Sequence, residues 1–134
     1  MSKVAIVFWS QTGNTETMAN CIAEGAGANA TIIPCSEMNA AKLGEYDVVA
    51  FGCPAMGAEQ LEESEFEPMF SDLEGSLNGK KVALFGSYGW GGGEWMEIWK
   101  RDNAGLNIVD TVICQDAPDD DALAACRAAA DKLA

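Results

Sequence analysis

Short runs of apolar residues alternate with amphipathic stretches along this chain, and the alternation predicts strands and helices in turn. The strand candidates are residues 3–9, 30–33, 47–52, 81–86 and 108–114. Three of these runs are apolar throughout, which is typical of parallel strands that are covered on both faces. A largely parallel sheet is therefore expected.

Four stretches between and after the strands predict helices. Residues 14–26 can form the first, and residues 93–101 and 119–133 form two more, the last opening with three aspartates at its positive N-terminal end. The remaining helix has an i, i+3, i+4, i+7 stripe of Phe66, Met69, Phe70, Leu73 and Leu77. Strand and helix in alternation imply an α/β fold with a doubly wound sheet, and such sheets bind ligands at the carboxyl ends of their strands.

The bulk composition restricts the classes of function. A chain of 134 residues with 49% apolar residues fits one domain spanning residues 1–134. It has no long apolar run and no signal-peptide pattern at its start, so a soluble, cytoplasmic protein is expected. Five scattered cysteines without a C-x-x-C pair indicate reduced thiols. The absence of histidine argues against metal-assisted hydrolysis and against Ser-His or Cys-His catalysis.

The charge distribution favours particular partners. A formal net charge of −13 repels nucleic acid and anionic membranes and favours a protein with a basic patch. No Lys or Arg occurs from residue 43 to residue 79, where the acidic residues are Glu45, Asp47, Glu59, Glu62, Glu63, Glu65, Glu67, Asp72 and Glu74. This stretch is either a solvated helical face or also a docking surface.

The loop after the first predicted strand is a candidate phosphate site. It consists of small hydroxyl and amide residues that lead into a helix start: Ser10, Gln11, Thr12, Gly13, Asn14 and Thr15. Backbone N–H groups, hydroxyls and the helix dipole can together hold one phosphate without a cationic side chain. The loop lacks the Gly-Lys-Ser/Thr of a Walker A motif and the repeated glycines of a dinucleotide fingerprint. The alternative is a plain turn in which Asn14 or Thr12 caps the helix.

Two other strand ends carry candidate ligand-binding residues. The third strand is followed by Cys53, Pro54, Ala55, Met56, Gly57, Ala58 and Glu59, and the fourth by Ser87, Tyr88, Gly89, Trp90 and Gly91. Aromatic rings among glycines allow a ligand to approach the backbone closely. A planar ligand between Met56 and Trp90 is expected, whereas Trp95 starts a helical stripe and is expected to be a core anchor.

Together these three segments resemble the flavodoxin family. Residues 10–15 look like its phosphate loop, residues 55–59 like its turn beside the flavin, and residues 86–91 like its second flavin loop. The resemblance runs along the whole chain and implies a five-stranded parallel sheet of order 2-1-3-4-5. It also implies a low-potential, monomeric one-electron carrier that binds FMN non-covalently, passes through semiquinone and hydroquinone states, and serves redox proteins with basic docking surfaces.

Carried over by position, the resemblance assigns roles to individual residues. The phosphate is held by Ser10, Gln11, Thr12, Asn14 and Thr15, with help from Ser87. Met56 and Trp90 flank the ring, Glu59 accepts from flavin N3–H, and Gly89 and Gly91 present N–H groups to the pyrimidine edge. Pro54 and Ala58 depart from the common pattern, the first at the cost of one phosphate contact and the second with an effect on redox tuning. The acidic residues Glu59, Glu62, Glu63 and Glu65 are expected to lower the second reduction potential.

Three alternatives remain open from the sequence. A response-regulator receiver shares the topology but needs clustered acids after the first strand, where this chain has Ser10 and Gln11. A thiol enzyme could use Cys53, which has no histidine or basic neighbour in sequence to lower its pKa. A flavin-dependent reductase that uses NAD(P)H directly is the remaining alternative, although the chain is short and shows no second dinucleotide site.

Overall fold

A computed structural model of the protein describes residues 3–10, 13–55, 62–89 and 93–133. Five strands form one parallel sheet in the order β2-β1-β3-β4-β5. They are β1 (Val4–Phe8), β2 (Ala30–Pro34), β3 (Val48–Gly52), β4 (Lys81–Tyr88) and β5 (Asn107–Gln115). The predicted sheet and its strand order are confirmed, and every predicted strand is present with its bounds shifted by one or two residues at most.

The helices pack on both faces of this sheet. They are α1 (Asn14–Ala26), α2 (Ala40–Leu43), α3 (Phe66–Leu73), α4 (Glu94–Asp102) and α5 (Asp120–Leu133). One core lies between the sheet and α1 and α5, and the other lies between the sheet and α2, α3 and α4. In the part of the chain described, no helix is long and apolar enough to cross a membrane.

Burial of the strands follows their position in the sheet. All five residues of β1 and all five of β3 are buried, whereas the edge strands β2 and β5 are partly exposed. Continuous apolar sequence therefore marks the strands that helices cover on both faces. Gly52 lies in this tightly packed centre, and a glycine is needed there because a side chain would run into the ring of Phe85 on β4.

Two details of the helices differ from the sequence prediction. The stripe from Phe66 to Leu77 does not form one helix, because α3 ends at Leu73 and a short 3₁₀ turn, Glu74–Ser76, follows. Leu77 is nevertheless fully buried. The α2 helix was not predicted, since four residues are too few to show a helical period.

Candidate functional site

The carboxyl ends of β1, β3 and β4 lie side by side and carry the three candidate segments. The N–H of Trp9 donates to the carbonyl of Gly52 at 3.0 Å, and the N–H of Ala55 donates to the carbonyl of Ser87 at 3.0 Å. The strand order reverses between β1 and β3, because β2 is added on one side of β1 and β3 on the other. Open α/β sheets bind ligands at such a switch point. The candidate segments therefore meet where a ligand is expected.

The segment after β1 leads into the N-terminus of α1, which no side chain of the described residues caps. Gly13 is the N-cap residue, with a φ of 95° that favours glycine, and its carbonyl accepts the first helical bond from Thr17 at 2.9 Å. The hydroxyl of Ser10 accepts a hydrogen bond from the N–H of Gly13 at 3.1 Å. The alternative in which Asn14 caps the helix is wrong, because Asn14 is already the first helical residue.

Thr15 has a buried hydroxyl group without a partner in the first turn of α1. The residue is 1% exposed, and within the described residues its Oγ1 atom makes no hydrogen bond. An unsatisfied buried hydroxyl costs roughly 1–3 kcal/mol. A phosphate oxygen placed at this N-terminus would accept from the hydroxyl and from the N–H groups of the first helical turn. The residues present here therefore fit a phosphate group.

The segment after β4 contributes both buried and half-buried residues. Ser87 is buried, and the half-buried Tyr88 ring lies 5.6 Å from the Trp95 ring at an interplanar angle of 52°. Trp95 is 1% exposed and donates its indole N–H to the carbonyl of Cys53 at 3.2 Å. The prediction that Trp95 is a core anchor is confirmed, and its hydrogen bond ties α4 to the end of β3.

Glu62 has a role that sequence reasoning missed. The residue is 6% exposed, and its carboxylate accepts hydrogen bonds from the N–H groups of Ser64, Glu65 and Phe66 at 2.8, 2.7 and 2.8 Å and also from the Ser64 hydroxyl. It was predicted as part of the acidic surface, and that prediction is wrong for Glu62. The side chain turns inward because the backbone N–H groups at the start of α3 have no partner within the helix and donate to its carboxylate instead of to water.

These hydrogen bonds determine the ionisation of Glu62. Burial raises the pKa of its carboxyl, but the hydrogen bonds from Ser64, Phe66 and Glu65 to the charged form outweigh burial and lower the pKa from 4.5 to about 2. Glu62 is therefore ionised at neutral pH. The other described acidic residues of this stretch are exposed, as expected of a solvated face.

Cys53 lies at the end of β3 but is not a nucleophile. It is fully buried, and burial raises the pKa of its thiol to about 12. A thiol in this environment carries almost no thiolate at neutral pH, so the thiol-enzyme alternative has no support. Among the residues that the structure describes, no cluster of acidic or cysteine side chains could hold a metal ion.

The structure places about half of the predicted site residues. Those described lie at the three strand ends: Ser10, Gly13, Asn14 and Thr15 at the start of α1; Pro54 and Ala55 after β3; Ser87, Tyr88 and Gly89 at the end of β4. Eight others lie outside the described residues, and their roles stay predictions: Gln11, Thr12, Met56, Gly57, Ala58, Glu59, Trp90 and Gly91. The described residues converge at the carboxyl end of the sheet.

Comparison with known proteins identifies the family. The family model described as flavodoxin matches residues 6–129. The chain belongs to the flavodoxin family. The flavodoxin of Megasphaera elsdenii is 49% identical over 121 residues, covering 87% of this chain and 88% of that protein. The flavodoxin of Clostridium beijerinckii is 47% identical over 121 residues, with 86% and 88% covered.

A solved structure agrees with the family assignment. The solution structure of two-electron reduced Megasphaera elsdenii flavodoxin has a TM-score of 0.86 and 45% sequence identity, and the match covers 96% of this chain and 98% of that one. The chain is thus a small FMN-binding electron carrier that acts with redox partner proteins. No finding favours the reductase that uses NAD(P)H directly.

Proposed function

We propose that this flavodoxin binds FMN across the carboxyl ends of β1, β3 and β4, with the phosphate at the N-terminus of α1. The phosphate ligands are Ser10, Gln11, Thr12, Gly13, Asn14 and Thr15, assisted by Ser87. The ring lies against two segments, made of Pro54, Ala55, Met56, Gly57, Ala58 and Glu59 and of Tyr88, Gly89, Trp90 and Gly91. The observation that carries this proposal is the buried Thr15 hydroxyl, which has no hydrogen-bond partner among the described residues and lies at a helix start with a glycine N-cap.

Bound FMN supplies the one-electron chemistry, and the residues of the chain bind and orient it. Helix N–H groups and hydroxyls hold the phosphate at a fixed point, and the segments after β3 and β4 place the ring at the carboxyl end of the sheet. Cys53 is held as a neutral, buried thiol and takes no part in this chemistry. In this proposal the protein acts as a carrier without a substrate of its own.

The partners in this proposal are redox proteins with basic docking surfaces. Its support is the net charge of −13 together with the exposed carboxylates along and before α3, which are Glu63, Glu65, Glu67 and Asp72. Opposite charges steer such encounters and leave the complex short-lived at physiological salt. A monomer in the cytoplasm fits this transient role.

The experiment that tests this function is a comparison of FMN with riboflavin. The purified protein should bind FMN and show a flavin spectrum, and riboflavin should bind much more weakly because it lacks the phosphate. Reduction by NADH or NADPH alone, followed by stopped flow, should be slow in the absence of a partner protein. Failure to bind added FMN would contradict the proposal, and rapid turnover with NAD(P)H would favour the reductase alternative.

A further inference from the structure

The chain between β3 and α3 is tied together at both of its ends. Cys53 follows β3 directly, and its Sγ atom accepts a hydrogen bond from the N–H of Glu62 at 3.4 Å. Both residues are buried. The two ends of residues 54–61 therefore meet at one point in the core, nine positions apart in sequence.

Glu62 also joins this point to the helix that follows. Its carboxylate accepts from the N–H groups of Ser64, Glu65 and Phe66 and from the Ser64 hydroxyl. Its carbonyl accepts from the N–H of Glu67 at 2.9 Å. We call this arrangement of Cys53, Glu62, Ser64, Glu65 and Phe66 the Glu62 clamp.

The strand side of the clamp is equally fixed. The N–H of Cys53 donates to the carbonyl of Phe85 on β4 at 3.1 Å, and its carbonyl accepts the indole N–H of Trp95 on α4 at 3.2 Å. The clamp thus connects β4, α4 and α3 through Cys53 and Glu62, two buried residues that are joined by a hydrogen bond. The residues on either side of 54–61, Cys53 and Glu62, are therefore both buried and hydrogen-bonded to neighbouring elements.

We propose that Glu62 is a positioning residue for the flavin ring, acting by holding together the two ends of residues 54–61. The inference rests on the proposed function, in which Pro54, Ala55, Met56, Gly57, Ala58 and Glu59 lie against the ring. Fixing the separation of Cys53 and Glu62 removes part of the conformational entropy that ligand binding between these two positions would otherwise cost. Loosening the clamp raises this entropic cost, and ring binding becomes weaker.

The clamp acts on the ring and not on the phosphate, since α1 and the segment after β1 contribute no residue to it. Glu62→Gln keeps the length of the side chain but removes its charge and one acceptor oxygen. This variant should weaken FMN and riboflavin by the same factor, roughly tenfold. Glu62→Asp keeps the charge and can still accept from the N–H groups two and three residues ahead, so it should restore most of the affinity.

The test measures flavin released on dilution of each holoprotein, by flavin fluorescence, for FMN and for riboflavin. Glu67→Gln is the matched control, because Glu67 is exposed and lies in the first turn of the same helix. Equal losses for both flavins in Glu62→Gln, recovery in Glu62→Asp and no change in Glu67→Gln support the proposal. An unchanged affinity in Glu62→Gln, or a loss confined to FMN, overturns it.

A second variant covers failure of Glu62→Gln to fold. Ser64→Ala removes one donor and leaves the carboxylate, so both flavins should bind about twofold more weakly. Unchanged affinities in Ser64→Ala would then overturn the clamp. If the wild-type protein binds neither flavin, the proposed function fails, and hydrogen exchange of the Phe66 amide decides the clamp: exchange as fast in wild type as in Ser64→Ala contradicts it.

Discussion

The two helices that begin beside the candidate flavin site, α1 and α3, differ in how the hydrogen-bond donors at their N-termini are paired. The start of α1 has a glycine N-cap without a capping side chain, and the buried Thr15 hydroxyl there has no partner in the described part of the chain. The start of α3 is filled by the buried carboxylate of Glu62, which accepts from Ser64, Glu65 and Phe66.

This difference shows how one fold can separate a binding site from a structural contact. Both helix starts present N–H groups and a positive dipole end that favour negative charge. At α3 the chain supplies that charge itself, so an external anion has no free donors to bind. At α1 no side chain of the described residues caps the helix start, and in the proposed function a ligand phosphate takes the place there that Glu62 takes at α3.

The largest effect is expected at the start of α3, where the Glu62 carboxylate accepts from the backbone N–H groups. Hydrogen bonds to the charged form lower the pKa of Glu62 from 4.5 to about 2, so the ionised carboxylate contributes to folding stability. Glu62→Gln keeps one acceptor, so it should lower the free energy of unfolding at pH 7 by about 2 kcal/mol. Urea unfolding measures this loss, and Glu67→Gln should stay within about 0.5 kcal/mol of wild type.

The same comparison has a defined pH dependence. Because the pKa of Glu62 is lower in the folded protein than in the unfolded chain, its contribution is fully present above about pH 4.5 and is lost as the pH falls toward 2. The difference in stability between wild type and Glu62→Gln should therefore shrink between pH 5 and pH 3. A difference that stays constant over this range would contradict the assignment of the buried charge to Glu62.

The sequence predicted the sheet well because its signal is local. Strands β1 and β3 are continuous apolar runs, and such runs are what a strand covered on both faces requires. The edge strand β5 was placed correctly as well, but its observed bounds are one residue longer at each end. The four residues of α2 carry too little periodicity to be recognised.

The sequence did not predict Glu62, because its role depends on contacts that the local pattern does not show. It lies in an acidic run in which the other described members are exposed, and nothing in that run distinguishes it. Its contact with Cys53 joins residues nine positions apart, through the packing of α3 on β3.

The next largest effect is expected at the start of α1, where the substitution should weaken FMN binding without lowering the stability of the protein. Thr15→Val removes the buried hydroxyl and keeps the shape of the side chain. It should weaken FMN by roughly 10- to 100-fold and leave riboflavin almost unchanged, because one hydrogen bond to a charged phosphate is lost. The flavin-free variant should be as stable as wild type or more stable, since an unsatisfied buried group is gone.

The matched control for this prediction is Thr31→Val, because Thr31 is exposed on the edge strand β2. It should bind both flavins as wild type does. Isothermal titration with FMN and with riboflavin measures the two affinities. Equal losses for FMN and riboflavin in Thr15→Val would show that the N-terminus of α1 does not hold the phosphate, and the contrast between the two helix starts would then have no bearing on ligand binding.

The smallest effect is expected from the exposed carboxylates that lie next to Glu62 in sequence. A charge roughly 12 to 15 Å from the reduced flavin opposes it by about 1 kcal/mol at an effective dielectric near 20, before salt screening. For a one-electron step this is roughly 40 mV per carboxylate. Replacing Glu63 and Glu65 by Gln should therefore raise the second-electron potential, and by less at high salt, because both side chains are exposed.

The charge of Glu62 is buried and hydrogen-bonded, so the effect of Glu62→Gln on stability should persist at high salt. Potentiometric titration and urea unfolding at low and high salt decide between the two behaviours: a potential shift that ignores salt would mean that Glu63 and Glu65 act through structure and not through their charge.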